Sequence, residues 1–209
     1  MRTCFLKKMT AYIIFFVRSC CQGGLINTMK DKKHHTIAAE APCYITLTVV
    51  DGYPLFLDEH IRHLLFKTLQ TLTLTDIDVF AFVIMPNHLH LVAQGDEIEA
   101  KIYDIKRLSA TAIIDYLLND QKHRIIEHLR ELTGKNISHE PNRIWSKNIP
   151  ITPINEPYYL QKYVLHVHQN PVRAGIVSHP ERWRWSSAGI YTGNPEPIHL
   201  SEFNHIYHN

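Results

Sequence analysis

Apolar and polar positions alternate over residues 43–50, where the sequence reads CYITLTVV. This alternation, with its β-branched and aromatic residues, predicts a strand, because successive side chains in a strand point to opposite faces. Pro86-Asn87 divides a second apolar region in two, which predicts a hairpin. Pro150 cannot donate to a ladder, which places a fourth strand at a sheet edge. The four predicted strands are Cys43–Val50, Ile77–Met85, His88–Ala93 and Ile144–Ile151.

Between these strands, apolar residues recur at the three- and four-residue spacing of amphipathic helices. Asp58, whose carboxylate can cap a helix N-terminus, precedes the first such region. The order β-α-β-β-α-β-α predicts an α+β fold of the split βαβ type, an antiparallel sheet with helices packed on one face. The predicted helices run from Asp58 to about Thr73, from about Glu97 to Leu118, over Arg124–Leu132, and over Glu156–Gln169 with Asn155 as cap.

The chain has 209 residues, of which 45% are hydrophobic and 20% are charged. This composition indicates a globular core and excludes a disordered chain. We expect an N-terminal extension over 1–40, a globular domain over 41–194 and a C-terminal tail over 195–209. The extension is interpreted as a mobile arm or as a misassigned start. Its apolar run, Ala11–Val17, is too short to span a membrane.

The formal net charge of +2 is concentrated in residues 1–40. Such a chain does not coat duplex DNA through bulk charge, so any nucleic-acid role must come from a local site. The four cysteines lie within the first 43 residues and form no C-x-x-C pair. Neither a disulfide framework nor a cysteine zinc site is therefore indicated, and we expect a cytoplasmic protein without a membrane anchor.

His88-Leu89-His90 is the sharpest chemical signal in the sequence. On a strand, the two histidines project to one face while Leu89 projects to the other. Two imidazoles at this spacing can converge on one divalent ion. The alternative is an exposed strand face carrying two unrelated histidines, since the chain has 15 of them.

A second signal lies on the last predicted helix. Polar and aromatic residues recur there with spacings of four, three and four, which places them on one helical face. A stripe of phenol, imidazole and amide groups suits a functional surface. The alternative is an amphipathic helix whose tyrosines pack by their rings. The residues of the stripe are Tyr159, Tyr163, His166 and Asn170.

Three motifs, in their order and spacing, resemble those of the single-tyrosine HUH transposases, and in particular the REP-associated tyrosine transposases. The resemblance extends from about Tyr44 to Gly193, most of the globular part of the chain. The motifs are VIMPNHLHLV at 83–92, NPVRAGIV at 170–177 and WRWSS at 183–187.

The resemblance implies a ferredoxin-like α+β fold and an enzyme that nicks and joins single-stranded or hairpin DNA through a covalent protein–DNA intermediate. It implies a divalent ion, Mg or Mn, held by His88, His90 and Asn170. It leaves open whether one chain or a homodimer completes the active site, because family members differ. Four basic residues fit the DNA-binding part of this interpretation: Lys106, Arg107, Lys147 and Arg173.

The nucleophile is where this sequence departs from the family. The resemblance implies a tyrosine four residues before Asn170, and this chain has His166 there. Three interpretations stay open: Tyr163, on the same helical face, substitutes; His166 itself acts as nucleophile or extra metal ligand; or the chain is a repurposed copy that binds DNA without cutting it. An unrelated metal-dependent hydrolase is disfavoured, because the motifs lack the carboxylates that a water-activating site uses.

Overall fold

A computed structural model describes residues 41–72, 77–134, 136–137 and 141–192. The predicted extension and C-terminal tail lie outside these residues. Within them, no helix has both the length and the apolar composition needed to cross a membrane. The strands are Cys43–Thr48 (β1), Asp78–Ile84 (β2), His88–Gln94 (β3) and Ile151–Pro153 (β4), and the helices are Glu59–Leu72 (α1), Ile98–Asn119 (α2), His123–Thr133 (α3), Pro157–Arg173 (α4) and Ala188–Tyr191 (α5).

The four strands form one sheet in the order β2-β3-β1-β4, and every neighbouring pair is antiparallel. β2 and β3 are joined by a tight hairpin, whereas β1 pairs with strands distant in sequence. This arrangement confirms the predicted α+β, split βαβ fold, in which two β-α-β units interleave their strands. β1 is therefore central, and its side chains reach both faces of the sheet.

The two faces of the sheet carry different cores. Alternate residues of β1, including Ile45 and Leu47, pack beneath α1, α2 and α3 in the larger core. Leu160 and Val167 of α4 belong to a smaller cluster on the other face. The prediction of helices on one face thus describes α1 and α2, whereas α4 covers the opposite face. β2, buried at five consecutive positions, requires cover on both sides.

Two element boundaries were predicted wrongly. The fourth strand was expected over Ile144–Ile151, but β4 is the shorter Ile151–Pro153. Trp145 instead forms an isolated bridge with Val49, and no regular β-ladder joins this bridge to the pairing of β1 with β4. Trp145 still contributes its side chain to the larger core, so hydrophobic burial without a regular ladder explains the apolar pattern.

The last helix also differs from its prediction. Glu156, not Asn155, occupies the N-cap position of α4, and Pro157 begins the helix, where its missing N–H costs no hydrogen bond. The helix continues through Pro171 to Arg173, past the predicted end at Gln169. As a consequence, Asn170 is helical and lies on the same face of α4 as the other residues of the stripe.

Candidate metal centre and nucleic-acid interface

His88 and His90 lie on β3, on the face of the sheet that α4 covers. The antiparallel register sets His88 opposite Thr48 and His90 opposite Thr46 of β1. The centroids of the two imidazole rings are 4.5 Å apart, and His90 is buried while His88 is partly open. The hairpin turn immediately before β3 fixes the first histidine, and strand pairing fixes the second.

Two hydroxyl groups of β1 orient the imidazole of His90. Its Nδ1 lies 2.8 Å from Tyr44 Oη and 2.9 Å from Thr46 Oγ1. A hydroxyl oxygen can accept a hydrogen bond, so both partners allow Nδ1 to carry the proton. The lone pair of Nε2 is then available to a ligand, which is how metal-binding histidines are commonly held.

Asn87 in the hairpin turn orients the imidazole of His88. The Asn87 amide nitrogen donates to the Gly52 carbonyl oxygen at 3.0 Å, which turns the amide oxygen towards His88 Nδ1 at 2.6 Å. An amide oxygen only accepts, so Nδ1 of His88 is protonated and its Nε2 carries the lone pair. Asn87 therefore directs Nε2 of His88 to a ligand, and the two hydroxyl groups on His90 permit the same arrangement there.

The pKa values of both histidines favour the neutral, ligating form. Burial lowers the pKa of His88, and the side chain of Asn170, which accepts a hydrogen bond from the protonated ring, opposes that effect. Burial, with His88 and His166 nearby, lowers the pKa of His90 to about 3. Because a metal binds only the unprotonated imidazole, neither histidine has to lose a proton first at neutral pH.

Helix α4 brings three of the four stripe residues to this face of the sheet. The ring of Tyr163 stacks on Tyr44 with centroids 4.8 Å apart and an interplanar angle of 24°. The ring of His166 lies 5.8 Å from Tyr44 and 6.0 Å from His90. The side chain of Asn170 lies beside the imidazole of His88. Tyr159, the first residue of the stripe, is exposed.

Arg173 fixes the tautomer of His166. Its Nη1 donates to His166 Nδ1 at 2.7 Å, and a guanidinium has no acceptor atom. Nδ1 of His166 must therefore hold a lone pair, and the proton of the neutral ring is on Nε2. Burial and the nearby positive charge of Arg173 lower the pKa of His166, which maintains this neutral form. His166 consequently offers a hydrogen-bond donor to its surroundings.

The four basic residues predicted to contact DNA occupy very different positions. Arg107 is exposed and pairs with Asp104 at 3.3 Å, and Arg173 is exposed beside His166. Lys147 is exposed in the chain segment that borders β1. Lys106, by contrast, is only 6% exposed, and its Nζ donates to the Ser146 carbonyl oxygen at 2.8 Å. The prediction that Lys106 contacts DNA is therefore wrong. Its aliphatic stem is buried, and its ammonium group is bonded to a backbone carbonyl oxygen instead of facing solvent.

The segment that carries Lys147 lies close to the histidines in the sheet. Its backbone bonds to β1 on both sides of that lysine: Ser146 N–H donates to Thr48 O at 2.8 Å, and Thr46 N–H donates to Pro150 O at 3.2 Å. Thr46 and Thr48 are also the residues that pair with the two histidines. Lys147 therefore lies beyond β1 from β3, about two strand spacings, or about 10 Å, from the histidine backbone.

The chemical types of the donor atoms at this face are suitable for binding a divalent ion. Across the described ranges, no three His, Cys, Asp or Glu side chains cluster closely enough to form a metal site by themselves. Two neutral imidazoles and the Asn170 amide are the protein donors at this face, and phosphate or water oxygens would have to complete the coordination. Imidazole and oxygen donors together suit borderline and hard divalent ions.

Sequence reasoning missed the residues that orient the histidines. Tyr44 and Thr46 bond His90, and Asn87 bonds His88. A signal was present, because the polar residues of CYITLTVV occupy the alternate positions that do not enter the larger core. Without the strand register, however, nothing in the sequence paired these positions with a histidine 44 or 46 residues away.

The sequence matches no protein-family model and no curated protein. The structure is similar to that of a REP-associated tyrosine transposase bound to a REP hairpin, with a TM-score of 0.52 and 16% sequence identity over 79% of this chain and 86% of that chain. A candidate transposase from Deinococcus radiodurans R1 aligns with a TM-score of 0.38 and 14% identity, over 65% of this chain and 97% of that one. The first comparison shows a shared fold.

Proposed function

We propose that this protein binds single-stranded or hairpin DNA, and nicks and rejoins it in a divalent-metal-dependent, transposase-type reaction. The observation that carries the proposal is the paired orientation of His88 and His90: Asn87 leaves Nε2 of His88 available beside the Asn170 side chain of α4, and the partners of His90 permit the same of its Nε2. The motif resemblance supports it, as does the likeness in fold to a transposase that binds a REP hairpin.

We propose His88, His90 and Asn170 as the residues that would hold the ion, with Mg²⁺ or Mn²⁺ as its identity. When bound, the ion supplies positive charge that neutralises and polarises the scissile phosphate. The protein contributes rigidity: Tyr44 and Thr46 hold one ring and Asn87 holds the other. Such outer hydrogen bonds keep the ligating atoms aligned without reorganisation.

Tyr163 is the nucleophile in this proposal. It stacks on Tyr44, whose ring is 5.3 Å from that of His90, so one aromatic ring connects Tyr163 to the histidine pair. The phenolic oxygen forms a bond to phosphorus, the bond from phosphorus to the 3′ oxygen breaks, and the phenolic proton leaves with the released 3′-hydroxyl. The resulting 5′-phosphotyrosine is reversed by attack of a 3′-hydroxyl, which rejoins the strand.

His166 has a different role in this proposal. An attacking or ligating imidazole needs a free lone pair, and the lone pair on Nδ1 already accepts from Arg173. The Nε2–H can instead donate to a non-bridging phosphate oxygen, while the remaining N–H groups of Arg173 add charge-assisted bonds. We therefore assign His166 and Arg173 to phosphate binding, with Lys147 as a more distant contact to the DNA backbone. Arg107 is on α2, which packs against the other face of the sheet, and lies outside this interface.

DNA binding without cleavage is the second candidate function. It is favoured by His166 at the position where the resembled family has its tyrosine, and by the bond that engages its lone pair. In that case the residues around the histidine pair retain affinity for a phosphodiester but provide no attacking phenol. The two candidates differ in whether a covalent protein–DNA product forms.

The test is a search for that covalent product. The full chain is mixed with labelled single-stranded hairpins and Mg²⁺ or Mn²⁺, and the products are run on a denaturing gel. A band that resists SDS and disappears on chelation supports nicking, and Tyr163→Phe should abolish it. Tyr103→Phe, at an exposed tyrosine on α2, is the matched control and should leave the band unchanged.

The remaining outcomes separate the alternatives. A band that survives Tyr163→Phe but is lost in His166→Gln would make His166 the nucleophile. Hairpin binding with no band would establish the silent DNA-binding function, and His166→Tyr should then create a band if the rest of the site is intact. Absence of DNA binding altogether would refute both functions. Light scattering of the complex distinguishes one chain from a homodimer.

A further inference from the structure

The N-terminal turn of α4 exposes two adjacent tyrosines. Tyr158 is 61% exposed and Tyr159 is 47% exposed, and neither belongs to the two hydrophobic cores. The ammonium of Lys162 lies 4.4 Å from the ring centroid of Tyr158 and 5.6 Å from that of Tyr159. The two rings also meet edge to face, with centroids 5.6 Å apart and an interplanar angle of 64°. Together with Lys162 they form an exposed surface that packing of this domain does not explain.

This aromatic surface continues into the candidate site. Tyr159 precedes Tyr163 by four residues, so the two share one face of α4 and are about 6 Å apart along the helix axis. Tyr163 in turn stacks on Tyr44, whose hydroxyl contacts His90. A line of rings therefore leads from the solvent-exposed start of α4 to the histidine pair.

We propose that Tyr158, Tyr159 and Lys162 form a base-stacking surface for the single-stranded DNA that flanks the phosphate at the His88–His90 site. The inference rests on the proposed function and extends it to a binding site for unpaired bases. Every base offers a π-face, so aromatic stacking holds a single strand without reading its sequence, and a nearby cation adds attraction to the backbone.

The charge and the position of this surface favour single-stranded DNA over duplex DNA as its ligand. Glu156 precedes the pair and Lys162 follows it, so the surface carries little net charge and cannot rely on phosphate attraction alone. In a duplex the base faces are stacked on one another and inaccessible to tyrosine rings. Unpaired nucleotides, whose base faces are open, suit this surface better than base pairs inside a duplex, and the DNA must present them next to the phosphate that reaches the histidines.

The experiment compares two DNA ligands on each protein. One is a fluorescein-labelled hairpin with a single-stranded flank, and the other is the same hairpin with a blunt end; binding is followed by fluorescence anisotropy. Tyr158→Ala/Tyr159→Ala should weaken binding of the flanked hairpin by about tenfold or more, because each stacked base contributes substantially to affinity. The affinity of this double variant for the blunt hairpin should stay within about twofold of the wild-type affinity.

Two variants serve as controls. Tyr158→Phe/Tyr159→Phe keeps both rings and should retain the flank preference. Tyr103→Ala removes a tyrosine that is 58% exposed on α2, beneath the other face of the sheet, and should behave as the wild type. Because the readout is the ratio of two affinities for one protein sample, a change in the folded fraction cancels.

The outcomes separate this inference from the proposed function. If the alanine double variant keeps the wild-type ratio, the stacking surface is refuted while DNA binding at the histidines stands. If the wild type prefers the blunt hairpin, the inference is likewise refuted. If the wild type binds neither hairpin, the proposed function fails and the inference fails with it.

Discussion

His168 lies on the side of α4 that faces the C-terminal part of the domain, and it is only 7% exposed. Its Nε2 is 2.8 Å from Ser187 Oγ, and its ring packs against Tyr191 with centroids 4.8 Å apart. Burial lowers the pKa of His168 from 6.5 to about 4. The same burial raises the pKa of Tyr191, so both groups stay neutral around pH 7.

The direction of the resulting pH dependence follows from proton binding. In the unfolded chain His168 gains its proton near pH 6.5, whereas in the folded protein it resists protonation until about pH 4. Between these values the unfolded state binds more protons, so the free energy of unfolding falls as the pH falls. The stability contributed by neutral His168 is complete above pH 6.5. About 3 kcal/mol of it is lost by the acidic end of the window.

His168→Gln removes this titration and should reduce the acid-induced loss of stability by about 3 kcal/mol. Urea unfolding of both proteins, measured at intervals from about pH 7 to about pH 4, gives the comparison. The protonation of His90, whose pKa is lowered to about 3, affects both proteins and cancels in the difference. His123→Gln, at an exposed histidine, should retain the wild-type pH response. Equal acid sensitivity of the wild type and His168→Gln would refute the reasoning.

Three further substitutions test other parts of the structure. Thr46→Val keeps the side-chain shape but removes one partner of His90, so the affinity for Mn²⁺, measured by titration calorimetry, should fall about tenfold or more; an unchanged affinity would show that the hydroxyl does not orient the ring. Leu160→Ala should lower the unfolding free energy by about 2–3 kcal/mol in urea, because it empties part of the smaller core. Asp58→Ala should cost about 1–2 kcal/mol in the same assay, since its carboxylate accepts from two backbone N–H groups at the start of α1 and also pairs with Lys122. Asp58→Asn should recover the capping part of that loss but not the part due to the ion pair.

Sequence periodicity predicted most of the fold for a physical reason. The alternation of apolar and polar residues in β1 and the apolar stripe of α1 indicate which face of each element is buried. Asp58 caps α1 and so indicates where that helix begins. The strand order followed from the sequence of elements, because a β-α-β-β-α-β chain closes most simply as this sheet. β4 was misplaced, since Trp145 is buried in the core without a regular ladder.

The candidate site was less predictable than the fold. The pairing of His88 with His90 is a local property of a strand, and the α4 stripe is a local property of a helix. Which hydroxyls orient His90 depends on the register between β1 and β3, which is set by the whole sheet. The arginine bond to His166 spans two helical turns and was not considered from the sequence. The burial of Lys106 likewise depends on how α2 packs, because its charge alone suggests exposure.

The division of hydrophobic contacts between two faces of the sheet has a dynamic consequence. α4 is held by its own smaller cluster, so it can separate from the sheet while the larger core stays intact. Amide protons of α4 should then exchange with solvent faster than those of β1, through a partial opening that leaves the main fold protected. The histidines of β3 stay with the sheet during such an opening, while Tyr163 and Asn170 leave with the helix. Docking of α4 onto the sheet is thus the event that brings Tyr163 and Asn170 to the histidines, and the lifetime of the docked state is the lifetime of the assembled candidate site.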